Sequence, residues 1–263
     1  MKCQEKSCNK VLGNEEEIIE KVVNLISTKY FFLGVFCIGS QNYNLNNKDS
    51  DFDTVAIVLP NKDNLYFGNS YIDKSTIEYE EGICKIVDIK TFYKGLMNNS
   101  LNFLELLFSQ YKWINPRFTK FFAKLQEQRE EIGRVNEIKL LKCCAGIINT
   151  NLQVINKLNG NGHYPLYHAL RLGNFAKLYM DKNKIENCFT SIGVFTPSQL
   201  WDVKINGIEN RDNNIFCILE NIVTSINSYC LSIPFLQNQH IEKTIKSIFT
   251  DIMDSHFDFL KNF

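Results

Sequence analysis

The chain has 263 residues, 44% of them apolar and 22% charged, which is the balance of a soluble globular protein with enough length for one large domain or two ordinary ones. Its 29 basic and 29 acidic residues cancel, so bulk electrostatics argue against a protein built to hold long nucleic acid, although a local basic patch would still serve. Nine cysteines, odd in number and irregular in spacing, point to reduced thiols in a cytoplasmic protein rather than a disulfide framework. The opening MKCQEKSCNK is too polar for a secretory leader, and Cys3 and Cys8 lack a second pair to complete a zinc set. The longest apolar run, residues 30–38, is too short to span a bilayer, so no membrane partner is expected.

Residues 15–28 place Ile18, Ile19, Val22, Val23, Leu25 and Ile26 on one helical face, with glutamates in the first turn where they suit the helix dipole. Residues 30–38 follow as a strand rich in aromatic and branched side chains, which Gly39-Ser40 ends. Residues 41–50 are polar and Asn-rich, as loops are. Strand character returns over 51–59 until Pro60 stops it. After an irregular stretch, residues 76–80 and 83–89 flank Glu81-Gly82 as a hairpin. From about Thr91 the period becomes helical, over 101–111, 117–131, 135–158, 165–180 and 234–263. In the third of these, Ile138, Leu141, Ala145, Ile148, Leu152 and Ile155 form a continuous core stripe. The turn Asn159-Gly160-Asn161-Gly162 separates it from the next helix, where Pro165 suits the first turn. The fold class expected is α+β: a small mixed-sheet domain with helices over residues 1–100, then a helical-bundle domain over 101–263.

Side chains alternate along a strand, so Asp51 and Asp53 share one face while Phe52 enters the opposite layer. Two carboxylates so placed repel each other and are costly to bury, a problem that a divalent cation removes. Gly39 allows close backbone approach to a ligand, and the Ser40 hydroxyl can donate to phosphate oxygens. Asp88 lies in an otherwise apolar strand, where an acid is expensive unless it faces a site. Together these pieces suit two metals holding a triphosphate for in-line transfer, with Asp51 and Asp53 bridging both ions and Asp88 on the nucleophile side.

The segment Cys37-Ile38-Gly39-Ser40, a ten-residue loop and Asp51-Phe52-Asp53 resembles the signature of the DNA polymerase β-type nucleotidyltransferase superfamily. More narrowly, GSQNYNLNNKDSDFDT is similar to a bacterial and phage group of predicted nucleotidyltransferases. Val87-Asp88-Ile89-Lys90 with Asn102-Phe103-Leu104-Glu105-Leu106-Leu107 is similar to that group's Asp strand and following helix. His168-Ala169-Leu170-Arg171 is similar to a His-x-hydrophobic-Arg motif on a helix of its second domain. Asn44 departs from the group's usual Gly, and Thr-Val-Ala follows Asp53 where Arg-Gly is common.

The resemblance implies an enzyme with a nucleoside triphosphate donor, Mg²⁺ or Mn²⁺ as cofactor, and transfer of a nucleoside monophosphate to an acceptor. It implies that Gly39, Ser40, His168 and Arg171 bind nucleotide and that Asp51, Asp53 and Asp88 hold metal. Spacing adds only that His168 and Arg171 share a helix face, so a satisfied core His and a paired boundary Arg stand as the other reading. Glu105 is expected to be a buried acid tied to Arg171 or to backbone, and Glu78 either belongs to the hairpin's polar face or borders the site. An RNA end, a protein hydroxyl and a small molecule all stand as acceptors. A catalytically silent nucleotide-binding or protein-interaction module, such as an antitoxin-like partner, is the alternative function.

Overall fold

The structure is a computed structural model that describes residues 15–43, 45–46, 50–68, 70–157, 162–189, 193–206, 213–234 and 238–261. Cys3, Cys8, Asn44 and most of the 159–162 turn lie outside these residues.

The first half runs α1 (Glu15–Ser27), β1 (Phe31–Cys37), β2 (Thr54–Leu59), α2 (Lys62–Phe67), β3 (Thr76–Tyr79), β4 (Gly82–Asp88), α3 (Ile89–Met97), α4 (Leu101–Phe108) and β5 (Lys112–Ile114). The rest is helical: α5 (Thr119–Glu127), α6 (Arg129–Ile132), α7 (Glu137–Lys157), α8 (His163–Met180), α9 (Ile185–Cys188), α10 (Pro197–Asn206), α11 (Asn213–Ser232) and α12 (Gln239–Leu260). The fold is α+β, a mixed five-stranded sheet in the order β3-β4-β2-β1-β5 joined to a helical part. β2 pairs in parallel with β4, and the other three pairings are antiparallel.

Alternation along the strands gives the sheet two apolar faces. Val35, Cys37, Ala56, Val58, Cys84 and Ile86 point toward α1, which lays Ile18, Ile19, Val22 and Ile26 on them. Leu33, Phe36, Val55, Ile57 and Leu59 point the other way and begin a cluster that continues through Phe92, Leu104, Leu141 and Leu170 to Ile252. Phe32 and Val35 face α1 together although three residues apart, and a register shift between Phe32 and Gly34 supplies the extra residue. Gly34 is needed there, because a Cβ would stand 2.7 Å from the Trp113 carbonyl oxygen. The last helix returns to the sheet. α12 packs on α3 and α5, with Phe249 against Phe92 and a ring nitrogen of His256 2.8 Å from the Pro60 carbonyl oxygen.

Three features differ from the sequence expectation. β2 begins at Thr54 rather than Asp51, because residues before it bond to separate neighbours: Ile38 N–H donates to Asp53 O at 2.9 Å and Phe52 N–H to Glu81 O at 2.7 Å. The sheet takes its fifth strand, β5, from beyond residue 100, pairing Trp113 with Val35. Three helices, α9 to α11, occupy a stretch for which the sequence reading named no element. By length and composition residues Asn214–Ser232 of α11 could cross a membrane, but Leu219, Ile222 and Ile226 are core residues and the helix packs on α7 and α8.

Candidate functional site

β1 runs into a short 3₁₀ turn, Gly39–Tyr43. Gly39 has φ of 82°, a left-handed backbone that residues with a Cβ rarely adopt. Its amide donates to Glu105 Oε1 at 2.7 Å, and Asn42 Nδ2 donates to the same oxygen at 3.0 Å. Glu105 is buried on α4, so a core carboxylate holds the turn in place.

Phe52 is buried in the α1 layer, which leaves Asp51 and Asp53 on the side of the helical part, in parity with Val55 and Ile57. Both aspartates line a cleft of about 400 Å³ together with Gly39, Ser40, Tyr43, His168, Arg171 and Lys204. Asp53 is anchored sideways, its Oδ1 accepting from the Ile83 amide at 3.2 Å.

The opposite wall is α8. Tyr164, Tyr167, His168 and Arg171 fall at i, i+3, i+4 and i+7, one stripe of a helix, and all four line the cleft. The Arg171 guanidinium lies 4.0 Å from the centre of the Tyr43 ring. Burial opposes its charge, but Tyr43, Glu105 and Tyr167 more than offset that, and the group stays cationic. Its Nε has no hydrogen-bond partner, and neither has the hydroxyl of Tyr167, a residue only 3% exposed. His168 stands edge-on to Tyr164 at 4.5 Å. Burial, then Arg171 and Lys204, push its pKa down to about 4, so the imidazole is neutral at ordinary pH. Lys204 comes from α10, reaching Leu45 O at 2.5 Å and Ser50 Oγ at 3.1 Å, and burial lowers its pKa.

The structure therefore brings Gly39, Ser40, Asp51, Asp53, His168 and Arg171 to one cleft. It does not bring Asp88. The parallel register pairs Thr54 with Cys84 and Val58 with Asp88, which sets Asp88 about four residues, roughly 13 Å, along the sheet from the Asp53 end. Asp88 also shares parity with Cys84 and Ile86, not with Ile83 beside Asp53. Its carboxylate caps α3, accepting from Thr91 N–H at 2.9 Å and Thr91 Oγ1 at 2.5 Å. It borders a separate, mainly apolar cavity of about 420 Å³ with Tyr71, Tyr93, Phe249 and Met253. The expected place of Asp88 among the metal ligands is thus corrected: an acid ending a buried strand serves here as a helix cap.

Tyr43, Tyr164, Tyr167 and Lys204 were not singled out from the sequence. The two α8 tyrosines were readable, since they continue the His168–Arg171 stripe, whereas Lys204 sits on a helix the sequence reading did not name. The two carboxylates with Ser40 fit one Mg²⁺, which typically takes one or two protein carboxylates, water and substrate phosphates. A two-ion site fits poorly, and among the described residues no three His, Cys, Asp or Glu side chains gather as a metal set.

No family model matches the chain, and no curated protein matches it. Among solved structures it is similar to a nucleotidyltransferase-like protein from Exiguobacterium sibiricum 255-15, at a TM-score of 0.33 and 9% identity, over 84% of this chain and 75% of that one.

Proposed function

We propose that the cleft takes a nucleoside triphosphate with Mg²⁺ or Mn²⁺ and passes its nucleoside monophosphate to a hydroxyl acceptor. One observation carries this reading: the Ser40 turn, the Asp51–Asp53 pair and the Arg171 stripe of α8, remote in sequence, line one cavity. Arg171, which stays cationic, and Lys204 would hold the triphosphate, and the Ser40 hydroxyl would add a donor. The exposed Tyr164 and neutral His168 offer aromatic surface on which a base can stack. Asp51 and Asp53 would hold the cation, which when bound neutralises charge on the phosphates. In the transfer, the acceptor oxygen bonds to the α-phosphorus, the bond from that phosphorus to the bridging oxygen of pyrophosphate breaks, and the hydroxyl proton leaves to solvent. The seven described cysteines are all free, which supports a cytoplasmic setting.

A second reading, a module that holds nucleotide without transferring it, is favoured by the absence of Asp88 from the cleft. The test supplies each α-labelled NTP with Mg²⁺ or Mn²⁺ and offers RNA ends, protein hydroxyls and small molecules as acceptors. Label transfer that is lost in Asp51→Asn and Asp53→Asn supports the enzyme. Metal-dependent binding without transfer selects the module, and neither binding nor transfer defeats both.

A further inference from the structure

We infer that the cleft holds a single divalent cation with its nucleotide, because the strand position that would carry a third carboxylate is Ile83. The inference rests on the nucleotide reading above and concerns how that site is completed.

A second ion needs carboxylate ligands beside those of the first. One strand neighbouring β2 is β4. Its parallel register places Ile83 beside Asp53, and the Ile83 amide reaches the Asp53 carboxylate at 3.2 Å. Ile83 is 40% exposed, so its side chain is apolar at a position with ready access to solvent. The next residue of the same parity is Lys85, paired with Val55, and an ammonium group there repels a cation. Glu81 is taken by Lys21 of α1 at 2.6 Å. Glu78 is opposite Ile83, but on β3, two strand spacings or about 10 Å from the strand of Asp53. Among the described residues no third His, Cys, Asp or Glu joins Asp51 and Asp53 as a metal set.

One cation is a different matter. Asp51 and Asp53 are the one or two carboxylates that Mg²⁺ ordinarily asks of a protein when phosphates and water complete its shell. Two residues that line the cleft carry buried polar atoms without hydrogen-bond partners, the Tyr167 hydroxyl and Arg171 Nε. Arg171 and Lys204 then supply positive charge that a second ion would otherwise bring to the phosphates.

The experiment counts Mn²⁺ by equilibrium dialysis and electron paramagnetic resonance on the full chain, with and without a non-hydrolysable α,β-methylene nucleoside triphosphate. Circular dichroism checks that each variant is folded. The expected result is one Mn²⁺ per chain with the nucleotide, its affinity lowered tenfold or more in Asp53→Asn and likewise in Asp51→Asn. Ile83→Asp, at an exposed position that tolerates the change, is expected to raise the count to two. Two ions in the unaltered chain overturn the inference, as does a count that stays at one in Ile83→Asp. Failure of the nucleotide itself to bind, measured separately, overturns the nucleotide reading and the inference with it.

Discussion

Glu105 of α4 accepts the Gly39 amide at 2.7 Å, so a buried helix acid sets the turn that ends β1 and opens the cleft. The same oxygen takes Asn42 Nδ2, and that amide also reaches Cys37 O at 2.9 Å. Glu105→Ala removes the charged partner of the part-buried Gly39 donor, which costs about 1–3 kcal/mol of stability. Glu105→Gln keeps an oxygen acceptor and is expected to lose less. Urea unfolding of the two variants beside the parent checks the order.

Asp88 and Asp53 are separable by experiment because the strand register sets them apart along the sheet, each bordering a different cavity. Removing a cap costs about 1 kcal/mol, so Asp88→Ala should lower stability by that much. Nucleotide binding in Asp88→Ala should match the parent. Asp53→Asn should do the converse, weakening metal-dependent binding with a smaller change in the unfolding midpoint. Equal loss of binding in both variants would return Asp88 to the site.

Buried His256 and half-buried His168 set a pH dependence with a definite sign. Burial, then Arg171 and Lys204, hold His168 at about 4, below its ordinary 6.5. Burial likewise lowers His256, with Arg117 adding to the shift and the Pro60 carbonyl opposing it. Below pH 6.5 the unfolded chain takes up protons that the folded chain refuses, so stability rises with pH in this window. The His168 contribution is complete above about pH 6.5 and is lost as pH falls toward 4, and His256 acts with the same sign. Thermal melts from pH 7 to 4.5 should show that fall, with a shallower slope in His168→Gln.

Arg171 is expected to dominate nucleotide affinity. A hydrogen bond to a charged group contributes about 1.5–3 kcal/mol, so Arg171→Gln should weaken binding roughly 10- to 100-fold. Arg171→Lys should recover only part, since an ammonium lacks the planar fork and stacks less well on Tyr43. Isothermal titration with the non-hydrolysable nucleotide gives the three affinities directly.

Much of this arrangement is written in short-range periodicity. The parity of Asp51, Phe52 and Asp53 placed the two acids on one face, and the structure puts Phe52 in the α1 layer and both acids on the cleft. The α7 stripe from Leu141 to Ile155 is buried as its spacing implies, and the α8 stripe follows from 3.6 residues per turn. The part played by Asp88 was not available in that way. Its parity with Ile86 could be read, but whether that face and that end belong to the cleft depends on the parallel register of β4 on β2. Lys204 reaches Leu45 across 159 residues of chain, and no local pattern records such a meeting. Backbone geometry over a few residues determines which side chains share a face, and the sequence carries that much by itself. Which faces meet, and at which end, is decided by strand register and the packing of distant elements, because those energies arise only when the whole core closes.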